Sequence, residues 1–290
     1  MCQHSYILFL MAWKLVPWLV AMAMTAGAAP RILVHGHRGA RTVRPENTLP
    51  AFEYAVEAGA DFVEIDLAVT RDNVLVVSHD PVVNAEICTG PGPARPIREM
   101  SAAELGRWDC GSKRNPAFPK QQPVPGAKIP TFDEVLSLAS RGSFGINIEI
   151  KSFPDKPQYT PPPEEFARLV AGAVRRHKLE RRVIVQSFDF RPLLAMKKIA
   201  PELKLAALWS SGPRDFVSIA REAGTAIVAP QFALVTPEQV RAAHQAGLEV
   251  VPWTANTPAD WDRLIAAQVD AIITDDPAAL IAHLKARGLR

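Results

Sequence analysis

Cysteine is scarce in this chain: three in 290 residues, at Cys2, Cys88 and Cys110. No set of paired thiols is spaced to hold zinc or an iron–sulfur cluster. Charge of one sign is also missing. The formal net charge is +3, with no basic tail or stripe, so there is no field to draw the protein to nucleic acid. There is no glutamine-rich tract, no heptad run and no internal repeat of solenoid period. Also absent, from the turn after the first strand, is the glycine fingerprint that cradles a dinucleotide's phosphates.

What is present begins with a segment unlike the rest. Lys14, the apolar stretch LVPWLVAMAM and the small residues TAGAAP read as a secretory signal at residues 1–28, cleaved after Ala28. The stretch is short for a bilayer-spanning helix of about 20 residues, and no cysteine follows the small residues directly, as lipid attachment would need. The expectation is an exported protein, periplasmic or secreted, with no stable membrane anchor once the signal is removed. In that compartment Cys88 and Cys110 either pair or remain two thiols of one loop; their spacing is compatible with both.

Beyond residue 31, strand-like runs alternate with amphipathic stretches. The runs are ILVH (32–35), FVEIDLAV (62–69), INIEIK (146–151), RVIVQSF (182–188), KLAALW (204–209), AIVAP (226–230), EVVPWTA (249–255) and DAIITD (270–275). VLVVSH (74–79) is a short addition to the second. Helical patterns are read at 48–60, 131–140, 163–178, 191–200, 214–224, 236–247 and 258–268, several opening on Thr, Asp or Pro and closing on Gly. Eight such strands over one domain, 32–285, make a TIM (β/α)8 barrel. A doubly wound sheet uses the same alternation, but the missing glycine fingerprint favours the barrel. Residues 81–130 are proline-rich and aperiodic, and read as an insertion after the second strand, placed as a lid or binding loop.

The second strand poses a problem. Glu64 and Asp66 are two apart, so both project from one face of an otherwise apolar strand. Buried acids need a positive partner. Glu149, on the third strand, converges with them in a barrel, and three carboxylates suit a divalent cation, Ca²⁺ or Mg²⁺. An ion-paired cluster with Arg38 and Lys151 would serve as well. Most other strand-end polar residues also fall on the carboxyl side, where barrels keep their chemistry: His37-Arg38-Gly39, His79-Asp80, Lys151, Asn256 and Asp275. His37 and His79, on separate strands, are a general acid–base pair. Arg38 and Lys151 offer a fork and a point charge for phosphate. His35 lies one pleat deeper and reads as core. The set points to phosphoryl transfer.

These residues stand in four ordered pieces: His37-Arg38-Gly39, Pro45-Glu46-Asn47-Thr48, Glu64-x-Asp66 and His79-Asp80. Later pieces are IPTFDEVL (129–136), IEIK (148–151), QSFD (186–189), PWTAN (252–256) and DAIITDDP (270–277). The chain therefore resembles the glycerophosphodiester phosphodiesterases over residues 32–280. The resemblance implies a TIM barrel and a Ca²⁺ or Mg²⁺ cofactor held by Glu64, Asp66 and Glu149. It makes His37 and His79 the catalytic pair and assigns phosphate to Arg38 and Lys151, with Glu46 supporting Arg38 and the first loop. It implies cleavage of a small-molecule glycerophosphodiester to glycerol 3-phosphate and an alcohol, aided by the substrate's own 2-hydroxyl through a cyclic phosphate. Two other functions are compatible with the fold. A phospholipase D-like enzyme for lysophospholipids or sphingomyelin would need an apolar groove, for which Phe118, Phe132, Trp108 and Trp253 are candidates. A binding-only barrel would be expected to lack one of the histidines or acids, and none is lacking.

Overall fold

The computed structural model describes residue 1, residues 31–140 and residues 142–290; the signal-peptide expectation for residues 1–28 lies almost wholly outside them. Strands β1 (Leu33–Gly36), β2 (Phe62–Val69), β3 (Leu75–Val77), β4 (Gly145–Ile150), β5 (Val183–Ser187), β6 (Lys204–Trp209), β7 (Ile227–Pro230), β8 (Glu249–Val250) and β9 (Ala271–Thr274) alternate with helices. The helices are α1 (Leu49–Glu57), α2 (Ala102–Leu105), α3 (Phe132–Ser140), α4 (Pro163–His177), α5 (Phe190–Ile199), α6 (Phe216–Ala223), α7 (Pro237–Gln245), α8 (Pro258–Ala266) and α9 (Pro277–Ala286). None of the described helices is long and apolar enough to cross a membrane.

Eight strands run parallel in the order β8-β7-β6-β5-β4-β2-β1-β9. The ring is nearly closed by three backbone bonds between the β8 and β9 segments: Asp270 N–H to the Val250 carbonyl (3.1 Å), Ile273 N–H to Pro252 (2.9 Å) and Ala255 N–H to Ile273 (3.1 Å). This is the expected TIM barrel. The β8 ladder has two residues where the sequence pattern offered seven. Pro252 has no N–H to donate, so regular pairing stops there. The VLVVSH run folds back as β3, antiparallel to β2.

The barrel wall is strongly apolar. Val63, Ile65 and Leu67 of β2 point outward into the layer shared with Phe52, Phe132 and Phe166 of the surrounding helices. Inside, the contents divide. Ile184, Leu208, Ile227, Val251 and Ile273 form an apolar cluster under β5–β9. The β1–β2–β4 side carries buried His35, Glu64, Asp66, Asn147 and Glu149.

Residues 81–130 are more ordered than an aperiodic loop. They build a satellite core from Val83, Ile97, Met100, Leu105 and Trp108, packed on Val76 and Ala68 of the β2–β3 hairpin. Cys88 and Cys110 form a disulfide across it, which resolves the choice between pair and free thiols. α2 opens on a capping box in which Ser101 and Glu104 each satisfy the other's backbone N–H.

Candidate active site

Glu64, Asp66 and Glu149 meet at the mouth of the barrel because β1, β2 and β4 are adjacent and in register. Asp66 pairs with Glu149 in the β2–β4 ladder, and Glu64 with Asn147. Two like charges side by side on neighbouring strands repel. Glu64, Asp66 and Glu149 bring one oxygen each within 4.8 Å of one another, all three residues buried. Burial, then the charges of Asp66 and Glu149, push Glu64 well above the usual carboxylate range. Burial also pushes Glu149 up, against the pull of Lys151. Asp66 goes the other way: burial opposes its charge, but Arg38 and Lys151 outweigh burial and hold it low.

The loop after β1 is bent to serve these acids. Arg38 (φ 48°), Gly39 (φ 86°) and Asn47 (φ 55°) adopt the left-handed conformation, uncommon for the two that carry a Cβ. A Cβ on Gly39 would lie 2.7 Å from the Ala51 backbone, so α1 packs only against glycine there. The bend turns the Arg38 N–H onto Glu64 Oε2 (2.9 Å) and the Asn47 side-chain amide onto Asp66 Oδ2 (2.9 Å). Arg38 Nη1 donates to Glu46 Oε1 (2.6 Å), and its Nε lies 3.3 Å from Asp66. Lys151 Nζ is 2.8 Å from Glu149 and 3.8 Å from Asp66.

The cluster is thus partly ion-paired, but the charges do not balance. Four acids, counting Glu46, face two cations, and Asp66 Oδ1 is buried with no hydrogen-bond partner. A buried carboxylate oxygen left idle is costly. An all-oxygen donor set, with one oxygen of an ionised carboxylate free of hydrogen bonds at its centre, fits a hard divalent cation. Its residues would be Glu64, Asp66 and Glu149.

The histidines stand on either side of this cluster, each with its own carboxylate. His37 Nδ1 lies 2.6 Å from Asp275 Oδ1, and its Nε2 is 4.0 Å from Glu64. Asp275 is held in turn by Arg41 Nε (2.7 Å) and the Asn256 side-chain amide (2.7 Å). Burial lowers the His37 pKa, with Asp275 pulling the other way. Asp275 itself stays low because His37 and Arg41 overcome its burial. His79 Nδ1 lies 2.8 Å from Asp80 Oδ1, and Asn84 donates to the second oxygen of Asp80 (3.2 Å). The hydrogen bond from His79 is the main cause of the lowered Asp80 pKa.

His37, Arg38, Glu64, His79, Glu149 and Lys151 line one cavity of about 340 Å³. Its far wall is apolar, made by Phe188, Leu208, Trp253 and Ile273. All of the expected site residues therefore come together, Glu46 by way of Arg38. Asp275 and Asn256 were visible at strand ends but carried no assigned role. Gln186, whose Nε2 donates to Glu64 Oε1 (3.2 Å), stood in the QSFD piece without an assigned role, and Arg41 had no sequence signal of its own. His35 is core as expected, against Phe62 with ring centroids 4.5 Å apart. The apolar groove expected from Phe118, Phe132, Trp108 and Trp253 does not form. Phe132 lies in the helix layer and Trp108 in the satellite core, both fully covered; Phe118 sits beneath Arg41, and only Trp253 of the four candidates lines the cavity.

The glycerophosphoryl diester phosphodiesterase family model matches residues 37–279. A glycerophosphodiester phosphodiesterase of Caldanaerobacter subterraneus is 35% identical over 255 residues, spanning 87% of this chain and 97% of that protein. Among solved structures, a protein of Silicibacter pomeroyi described as a glycerophosphoryl diester phosphodiesterase superposes with a TM-score of 0.83 at 32% identity, covering 90% of this chain and 96% of that one. An Oleispira antarctica phosphodiesterase in complex with the product sn-glycerol-3-phosphate shares the fold at TM-score 0.76 and 23% identity, over 88% and 97% of the two chains. With the site geometry and a match across almost the whole barrel in agreement, the chain belongs to the glycerophosphoryl diester phosphodiesterase family.

Proposed function

We propose that this enzyme hydrolyses small-molecule glycerophosphodiesters to sn-glycerol 3-phosphate and an alcohol, using Ca²⁺ or Mg²⁺ and the histidine pair. One observation carries the reading: two carboxylate-backed imidazoles share a single cavity with the acid cluster and with Arg38 and Lys151. A divalent cation on Glu64, Asp66 and Glu149 would act as a Lewis acid toward a phosphoryl oxygen. Arg38 and Lys151 hold the phosphate, and Glu46 keeps the Arg38 fork extended toward it. With Nδ1–H donated to Asp275 or Asp80, each imidazole turns Nε2 away from its carboxylate as the proton-handling atom. One takes the proton of the glycerol 2-hydroxyl as that oxygen attacks phosphorus. The other protonates the departing alcohol oxygen as its bond to phosphorus breaks. The cyclic phosphate that results is opened by water, with the two imidazoles exchanging roles.

The cavity suits a diester of this size, and among the described residues Phe118, Phe132, Trp108 and Trp253 build no groove for an acyl chain, which disfavours a lysophospholipid or sphingomyelin substrate. Export is part of the same reading. The disulfide suits an oxidising compartment, and mass spectrometry of the exported fraction should find an N-terminus near Ala29. Glycerophosphocholine should be hydrolysed and lysophosphatidylcholine should not, with EDTA stopping the reaction. An analogue lacking the 2-hydroxyl should bind but stay intact; turnover near the normal rate would replace the cyclic phosphate with direct attack by water.

A further inference from the structure

Arg41 steadies Asp275 through Nε, but the reaction above gives the rest of its guanidinium no role. It lines the same cavity as His37 and Arg38, and three contacts fix it there. Its Nε is 2.7 Å from Asp275 at the end of β9. Its guanidinium lies over the ring of Phe118, 4.6 Å from the centroid. Gln121 donates to its carbonyl (2.7 Å). The side chain is only 22% exposed, yet Nη1 and Nη2 make no hydrogen bond among the described residues. Arg38 and Lys151, in contrast, are tied to Glu46, Asp66 and Glu149. A largely covered, ion-paired fork with Nη1 and Nη2 free of protein partners is suited to pair with a carboxylate or a phosphate.

Its position says which part of the substrate it meets. His37 stands between Glu64 on one ring nitrogen and Asp275 on the other, and Arg41 lies on the Asp275 side. It is therefore across the imidazole from the acid cluster and the phosphate cations. The glycerol half of a glycerophosphodiester has no anion besides the shared phosphate, so an anion met there belongs to the other alcohol. The segment that packs on Arg41 has the matching sign. Residues 110–130, which supply Phe118 and Gln121, hold Lys113, Arg114, Lys120 and Lys128 and no acid. Among the described residues none of these four pairs with a carboxylate, and neither does Arg44. A leaving alcohol that carries an anion is favoured here over one that carries none.

We propose that Arg41 is a specificity-determining residue that selects glycerophosphodiesters whose leaving alcohol carries a second anionic group, a carboxylate or a phosphate. The inference rests on the hydrolase reading above. Two substrate pairs test it. Glycerophosphoserine and glycerophosphoethanolamine differ by one carboxylate; glycerophosphoinositol 4-phosphate and glycerophosphoinositol differ by one phosphate. Both kcat/KM and calorimetric affinity are measured for each pair. The wild type should favour the anionic member of at least one pair by about tenfold or more, the scale of a hydrogen-bonded charge pair. The pair that responds identifies the group. Arg41→Gln should bring that ratio close to one, and Arg41→Lys should keep part of it, whatever either does to both rates in common. A wild-type ratio near one in both pairs, or a ratio that survives in Arg41→Gln, overturns the proposal. If Arg41→Gln does not fold, Phe118→Leu, which unseats the guanidinium and keeps its charge, should lower the ratio, and an unchanged ratio counts against it. If no glycerophosphodiester is turned over, the hydrolase reading falls, while the affinity ratios still decide this one.

Discussion

His37 and Asp275 are 238 residues apart and hydrogen-bonded at 2.6 Å. The contact exists because β1 and β9 are neighbours in the barrel, with His35 abreast of Ile273 and Gly36 abreast of Thr274. The chain then leaves both strands at the same mouth. A carboxylate on Nδ1 fixes the ring's orientation and decides which nitrogen carries the proton. Asp275→Asn keeps the shape but can offer its amide N–H to Nδ1, which favours the opposite tautomer. Its kcat should fall by about 10²–10⁴-fold, the worth of one proton transfer. Affinity for Ca²⁺ or Mg²⁺ should stay near wild type, since Asp275 is not among the converging acids. Activity within a few-fold of wild type would mean that His37 needs no orienting partner.

The acid cluster predicts a trade between stability and cation binding. Glu64 is buried and repelled by Asp66 and Glu149, with a raised pKa as the result. Glu64→Gln removes that repulsion, so the metal-free variant should melt higher than the metal-free wild type. It should also bind Ca²⁺ or Mg²⁺ at least about tenfold more weakly and gain little melting temperature from either ion. Asp66→Asn and Glu149→Gln should show the same loss of binding. Calorimetry and thermal melts with and without EDTA check both halves, and a Glu64→Gln variant that keeps full affinity contradicts the assignment.

The disulfide acts on the satellite core. Cys88 and Cys110 are separated by 22 positions, and closing a loop of that length is worth about 3 kcal/mol in the chain-entropy model. That core is small, so the bond is a large share of what keeps residues 81–130 folded. Reduction, or replacement of both cysteines by Ser, should make Lys113, Arg114 and Lys120 early trypsin sites while the barrel stays resistant. Activity should fall too, because Asn115 of this segment donates to Glu46 Oε2 (3.1 Å) and Glu46 holds Arg38. Unchanged proteolysis under reducing conditions would show that packing alone secures the segment.

Which features could be read from sequence follows from the range of the interactions behind them. Glu64 and Asp66 were legible because a strand's period is local: two acids two apart share a face whatever the fold. The mouth of the barrel was legible from the strand count, and it placed His37, His79, Glu149 and Lys151 together. The role of Asp275 was not, because its partner comes from the opposite end of the chain. The satellite core was hidden for a different reason. Its apolar residues follow neither helix nor strand periodicity, and it is crossed by a disulfide that spacing alone leaves open. α9 escaped because PAALIAHLKA is apolar around much of its circumference. It buries Pro277, Leu280, Ile281 and Leu284, so the usual contrast between faces is weak.

His35 makes a prediction about acid stability. It is buried at the barrel floor, near Asn147 (3.3 Å), and its Nε2 has no partner. Burial pushes its pKa down to about 3, with Asp61 opposing weakly. In the unfolded chain it titrates near 6.5. Between those values the unfolded state binds a proton that the folded state refuses. The stabilising contribution is therefore complete above pH 6.5 and is lost as the pH falls from there toward 3, by about 1.4 kcal/mol per pH unit. His35→Gln keeps an amide for Asn147 and does not titrate. Between pH 7 and pH 5 the wild type should lose about 2 kcal/mol more than this variant in urea unfolding, with the acidic residues common to both cancelling in the difference. Parallel pH curves would mean that His35 accepts a proton without unfolding the barrel floor around it.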